Sequence, residues 1–265
     1  MFTANQNKKI VPAQIGDVMK INPPKHDRPI WKPVKHGDLL AEMDRQMDEK
    51  TFTNSQGHEI QLAKNDKRGD KFLVGGSGSE IYGSLAVDMF HKGKQIKPME
   101  GQVEPMIGFK NSNNFKFALT MFTGCWVIVC SNGMVINEAL GAETRRKHTT
   151  GLDLEEEVHK GLQNYVIQAE EITEAGNKMQ KSLVDEICFN NILVTAAELN
   201  KIAWNDIGKV HGEYFSPEHQ KMHGEGNAWS VYNAFTQVAK TMSAPNQERT
   251  IYGVHEVFEE VGIYA

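Results

Sequence analysis

The stretch "FKFALTMFTGCWVIVCSNGMVI", Phe115 to Ile136, decides how the middle of the chain folds. In its first half Phe115, Phe117, Leu119 and Met121 alternate with Lys116, Ala118 and Thr120, the period of a half-buried antiparallel strand. Its second half puts two cysteines and a tryptophan on one apolar run that ends in Ser131-Asn132-Gly133. Strand side chains point alternately to the two faces, so Cys125 and Cys130, five apart, can neither pair nor share a metal. Asn132 and Gly133 both tolerate the positive φ of a tight hairpin turn. The stretch reads as strand, turn, strand, and its cysteines as small buried hydrophobes.

On the N-terminal side, further short runs carry strand character between turn signals: "HEIQLAK", "KFLVGG", "IYGSLAVDMF" and "VEPMIGFK". Before them, Asp38 can cap a short helix with Leu39, Leu40, Met43 and Met47 along one side. Residues 1–35, with Pro12, Pro23, Pro24, Pro29 and Pro33 among basic residues, read as an extended arm. After "RRKHTTG" the period changes. Asp153 or Thr150 can cap a helix whose Leu154, Val158, Leu162, Tyr165, Ala169 and Ile172 recur every three or four residues, with a break expected at Gly176 on the way to Cys188. "TAAELNKIAWNDIGKV" opens with a capping box, Thr195 with Glu198, and "NAWSVYNAFTQVAKTM" opens with Asn227 as cap. A last helix runs through "IYGVHEVFEEVG". The expected fold is α+β: an arm (1–35), a mainly antiparallel β region (36–148) and a helical region packed on it (149–265), together one structural unit.

At 265 residues, 40% apolar and 24% charged, the chain has the composition of an ordinary globular protein with a sizeable core. Its three isolated cysteines match a reducing compartment rather than a disulfide framework. No run approaches the roughly 18 apolar residues of a membrane span, and "MFTANQNKKIVPAQ" lacks the apolar stretch of a secretory signal, so the expected location is the cytoplasm, with no membrane partner. The overall charge of −5 is unevenly spread. Residues 1–150 hold 21 Lys and Arg against 16 Asp and Glu, net +5, and residues 151–265 hold 8 against 18, net −10. A basic half points to an anionic partner such as nucleic acid, or to the acidic half of a neighbouring copy in a homo-oligomer.

Motifs for small-molecule chemistry are weak. "GGSGSEIYGS" has no Gly-Lys-Ser/Thr ending, and Ile81 stands where a dinucleotide fingerprint needs glycine, so it reads as a loop between strands. "HQKMH", His219 to His223, has helical metal-ligand spacing but carries Gln220 where the zinc-protease motif has glutamate, and Gly224 and Gly226 argue against a long helix. No Gly-x-Ser-x-Gly elbow is present. No cofactor or metal is expected, and an enzymatic role has no motif to support it. The stronger constellation is Lys110, Asn111, Ser112, Asn113, Asn114 and Lys116 on a turn near Phe109, Phe115 and Trp126, together with Arg145, Arg146 and Lys147. Cations neutralise phosphates, aromatics stack on unpaired bases, and Asn and Ser hydrogen-bond phosphate or sugar, which makes this a candidate site for single-stranded nucleic acid.

In order along the chain, "GFKNSNN", "CWVIVCSNGMV", "NAWSVYNAFTQ" and "RTIYG" resemble the signature segments of the phage- and plasmid-borne family catalogued as domain of unknown function 932. The earlier pieces "VKHGDLLAEM" and "IYGSLAV" fall where that family has a short helix and a strand, so the resemblance spans Pro33 to Gly253. It implies a mobile-element product working inside a bacterial cell. One departure is visible: where the family commonly has Asn-Ser-His-Asp, this chain has Asn111-Ser112-Asn113-Asn114, which removes an imidazole and a carboxylate able to serve as acid, base or metal ligand. A binding role survives that change. The expected function is nucleic-acid binding, as a single-strand binding or annealing factor in replication or recombination. The alternatives are a regulatory or counter-defence protein that binds a host protein, and an enzyme of unknown reaction.

Overall fold

The computed structural model describes residues 11–25, 27–65, 70–96, 103–127, 133–135, 144–216, 226–242 and 244–263. A short strand β1 (Val11–Ala13) and a one-turn helix α1 (Ile15–Val18) are followed by α2 (His36–Glu49). The sheet comprises β2 (Thr51–Thr53), β3 (Glu59–Lys64), β4 (Lys71–Gly75), β5 (Glu80–His91), β6 (Lys94–Ile96), β7 (Val103–Ser112), β8 (Leu119–Val127), β9 (Gly133–Val135) and β10 (Thr144–Arg146). Helices α3 (Leu154–Lys181), α4 (Glu186–Glu198), α5 (Ile207–Phe215), α6 (Ala228–Ala239) and α7 (Ala244–Glu260) complete the chain. The α+β class expected from the change of period is the observed one.

All strand pairings are antiparallel, in the order β1-β4-β5-β7-β8-β10. Strand β5 is the hub: its first part lies between β4 and β7, and its last part pairs with β3 and β6. The run Phe115–Phe122 is not all strand. Strand β8 starts at Leu119, and Phe115 has a left-handed φ of +66° in the connection from β7. Side-chain bonds from Ser112 and Asn114 to the backbone N–H of Lys116 hold that connection and override the alternation that precedes Leu119. Gly133 is not a turn residue either: it lies in β9 opposite Trp126, and residues 128–132 that join the strands, with Cys130 and Asn132 among them, are outside the described residues.

The inner face of the sheet carries Ile81, Leu85, Val87, Ile107, Phe109, Leu119 and Met121, which pack with Leu39, Leu40, Met43 and Met47 of α2 and Val158, Leu162, Tyr165 and Ala169 of α3. These are the helix positions that the apolar spacing singles out. Helix α2 starts at His36 with Lys35 as N-cap residue, and Asp38 sits in the first turn, where its charge favours the helix dipole, instead of capping. Helix α3 is 28 residues long, about 42 Å at 1.5 Å per residue. Asp153 caps it by accepting from the Glu156 N–H at 3.2 Å, and it runs through Gly176 without a break. The hydroxyl of Tyr165 donates to the Val87 carbonyl at 2.7 Å, fixing α3 on β5.

The C-terminal end of α3 reaches a second core, in which Met179 packs with Phe189, Ile192, Trp229, Tyr232, Phe235, Val254 and Phe258 of α4, α6 and α7. The capping box expected at Thr195 and Glu198 does not form, because both residues lie in the last turn of α4. The cap of that helix is Asp185, which accepts from the Cys188 N–H at 2.8 Å, and Asn200 with φ +56° lies just past its end. Asn227 caps α6 as expected, accepting from the Ser230 N–H at 2.9 Å.

Two glycines let aromatic rings lie across the sheet. Phe109 covers its cross-strand partner Gly83 on the inner face, where an added Cβ would stand 2.2 Å from the ring, and Phe122 covers Gly108 in the same way on the outer face. Because Phe109 is fully buried, Gly83→Ala must displace it, and the variant is expected to lose about 1–3 kcal/mol in urea unfolding. An unchanged midpoint would show that the ring has room to move.

Candidate nucleic-acid interface

The segment Asn111-Ser112-Asn113-Asn114 ends β7 and holds the arm. Asn113 accepts from the Val34 N–H at 3.0 Å through Oδ1 and donates to the Val34 carbonyl at 2.8 Å through Nδ2, so its amide pairs with Val34 as a neighbouring strand would. Asn111 Nδ2 donates to the same carbonyl at 2.8 Å and to His36 Nδ1 at 2.9 Å, and His36 Nε2 lies 3.0 Å from the Gly78 carbonyl. With Nδ1 accepting, the ring is the Nε2–H tautomer and donates to Gly78. Asn111, Ser112, Asn113 and His36 are all buried. A second set of bonds surrounds the buried carboxylate of Glu80. Asn114 Nδ2 donates to it at 2.6 Å, Lys116 forms an ion pair with it, and Ser112 Oγ donates to Asn114 Oδ1 at 2.6 Å. An aspartate at position 114, as the family commonly has, would set two carboxylates side by side here.

The arm crosses the end of the sheet above this network. Trp31 forms an isolated antiparallel bridge with Thr149, stacks on His148 at 4.7 Å and meets Phe115 at 4.3 Å, and the Arg28 guanidinium lies 4.1 Å from the centre of the Phe115 ring. Burial, partly opposed by the Lys32 backbone, pushes the His148 imidazole down to about 4. Burial lowers His36 as well, against its bond to Gly78.

The cations of the expected site divide between the two faces of the sheet. Cross-strand register places Leu73, Tyr82, Lys110, Thr120 and Arg145 in one row on the outer face, opposite to α2 and α3. Tyr82 to Arg145 spans three strand spacings, about 14 Å. Phe117 packs against Tyr82 at 5.2 Å, and the neighbouring row carries Lys71, Ser84, Gly108 and Phe122. Burial first, then the charge of Glu80, raises the Tyr82 pKa, which keeps its hydroxyl protonated. Arg145 and Lys147 are exposed, Lys110 is half-buried, and none of the three has an ion-pair partner among the described residues. Arg146 turns to the other face, donating to the Gly151 carbonyl at 3.1 Å and lying 3.9 Å from Glu157 of α3. The structure thus brings Lys110 and Arg145 to the outer face, leaves Lys147 exposed just past β10, binds Lys116 and Arg146 internally, and encloses Asn111, Ser112 and Asn113.

Sequence reasoning did not single out Tyr82, Lys71, Phe117 or Phe122 for this face. Their grouping depends on the pairing of β5 with β4 and β7, which no local pattern specifies. Among the described residues no three His, Cys, Asp or Glu side chains form a metal-binding group, and no helix is long and apolar enough to cross a membrane. The "HQKMH" segment and Trp126's side chain lie outside the described residues. The family described as Domain of unknown function (DUF932) matches residues 74–252, from within β4 to within α7. No curated protein and no solved structure matches the chain.

Histidines kept neutral by their surroundings link stability to pH. His148 and, in the second core, His255 have folded pKa values near 4 against 6.5 when free, both through burial. As pH falls below 6.5 the unfolded chain takes up protons that the folded chain refuses until about pH 4, so stability is full at neutral pH and lost across that window. The His255 contribution alone is about 2 kcal/mol at pH 5. Urea midpoints measured from pH 7.5 down to 4.5 should fall most steeply below pH 6.5, and His255→Leu should flatten that limb; an equal slope in the variant would remove His255 as its source.

Proposed function

From its membership of the domain of unknown function 932 family, which the match over residues 74–252 establishes, we propose that this chain is a mobile-element protein that binds single-stranded nucleic acid on the outer face of its sheet. The observation that carries the reading is the cross-strand row Tyr82–Lys110–Thr120–Arg145 with Phe117 against Tyr82. A phosphate chain needs cations at its own spacing and unpaired bases need apolar rings to lie against. Here both stand on a rigid β surface, and Lys71 and Phe122 extend it by one row. A face of this kind reads charge and stacking rather than base edges, so binding has little sequence preference and acts in replication, recombination or annealing. Asn111, Ser112 and Asn113 serve the site by fixing the end of β7 instead of touching the ligand, since their side chains are enclosed.

The test is fluorescence anisotropy of a labelled single-stranded oligonucleotide at several salt concentrations. Wild-type affinity should fall steeply with salt. Replacing Lys110, Arg145 and Lys147 together by Ala should lower the log-log salt slope by about 2, at about 0.7 per lost phosphate contact. Arg146→Ala should cost stability through its lost bonds to Gly151 and Glu157 while leaving the slope nearly unchanged. Absence of binding by the wild type at low salt would end this reading and put a host-protein partner in its place.

A further inference from the structure

Large apolar side chains left in water are costly when they cluster. Of the eleven exposed large hydrophobics among the described residues, eight lie in two segments of the chain: Val11, Ile15, Met19 and Ile30 along the arm, and Leu183, Ile187, Val194 and Leu199 on and beside α4. Leu183 and Ile187 are 84% and 81% exposed. Ile187 and Val194 are seven residues apart and share one side of α4, while Phe189, Ile192, Leu193, Ala196 and Ala197 are buried in the second core. The helix therefore has an apolar side that its own fold leaves uncovered.

The two segments are opposite in charge. Residues 11–35 contain Lys20, Lys25, Arg28, Lys32 and Lys35 against Asp17 and Asp27, net +3. Residues 183–199 contain Asp185, Glu186 and Glu198 and no Lys or Arg, net −3. Both sets of apolar residues are exposed in the same chain, so the arm does not cover its own α4. We propose that the protein associates head to tail, the arm of one copy lying along the exposed side of α4 in the next. The occupant of α4 is a second copy because the complementary surface, apolar and basic, is present on this chain and unfilled. Two different patches in contact make a heterologous interface, which closes into a ring or extends into a filament. The contact leaves the row Tyr82–Lys110–Arg145 open, because neither patch includes it. It stands independently of nucleic-acid binding.

The experiment uses two full-length variants that each spoil one patch: Val11→Asp with Ile15→Asp on the arm, and Ile187→Asp on α4. All the changed side chains are exposed, and far-ultraviolet circular dichroism checks that each variant folds; Leu183→Asp serves as a second α4 variant. In multi-angle light scattering at low salt, the wild type should exceed the 29.8 kDa chain mass and shrink as salt rises. Each variant alone should run as a monomer. An equimolar mixture of the arm variant and the α4 variant retains one intact arm and one intact α4, and should give a species of about twice the 29.8 kDa chain mass that grows no further. A monomeric wild type at micromolar concentrations and low salt, variants that assemble like the wild type, or a mixture that stays monomeric would each overturn the proposal.

Discussion

The amide of Asn113 standing in for a β-strand beside Val34 is the contact on which the arrangement of both faces depends. Val34 is buried, and its backbone N–H and carbonyl must be paired although none of the described strands runs next to it. Asn113 satisfies both groups, and Asn111 adds a second donor to the carbonyl and a bond to His36. This fixes the chain immediately before His36, the first residue of α2, so that Leu39, Leu40, Met43 and Met47 descend onto the inner face of the sheet. It also sets the course of the arm, whose Trp31 then meets Thr149 and His148 just before α3 begins. With α2 and α3 both committed to one face, the other is left to Tyr82, Lys110, Phe122 and Arg145.

The same contact gives the Asn113 and Asn114 departure a physical sense. Asparagine presents a donor and an acceptor side by side at the spacing of a backbone peptide, whereas a single imidazole ring nitrogen cannot pair with both groups of Val34 at once. At position 114 the neutral amide donates to Glu80, which is already shared with Lys116. Acid-base chemistry at this pair would need one group to be ionisable and open to a substrate, and here Asn113 is closed off and neither titrates. What the residues do instead is tie the arm, the end of β7 and the start of β5 into one rigid corner.

How far the sequence was legible follows from which features are local. Apolar periods of 3.6 located α2, α3 and α6, and the caps Asp153 and Asn227 could be read because a cap is a contact between residues three apart. The same rule misread Thr195 and Glu198, since a Thr-x-x-Glu pattern also fits the last turn of a helix already begun at Asp185. Alternation misread Phe115, whose left-handed backbone is held by side-chain bonds rather than by strand pairing. For the candidate site the sequence named Lys110 and Arg145, but not the aromatic residues that register sets beside them. That Tyr82 faces Lys110 depends on the register of β5 against β7, and register is a property of two strands.

The splitting of Arg145, Arg146 and Lys147 shows why a basic run in a sheet overstates the charge offered to a partner. Successive strand side chains leave on opposite faces, so of Arg145 and Arg146 only one can point outward. Arg145 does, and Arg146 is drawn to Glu157 and the Gly151 carbonyl at the start of α3. Arg45, Lys50 and Lys64 of the basic half are likewise held by carboxylates, two of them by Glu155 of the acidic half. The excess of +5 in residues 1–150 is thus partly consumed in joining α2 and β10 to α3. The charge left for a ligand is set by the cations that register turns to the outer face, where Lys110 and Arg145 flank the buried Thr120 of β8.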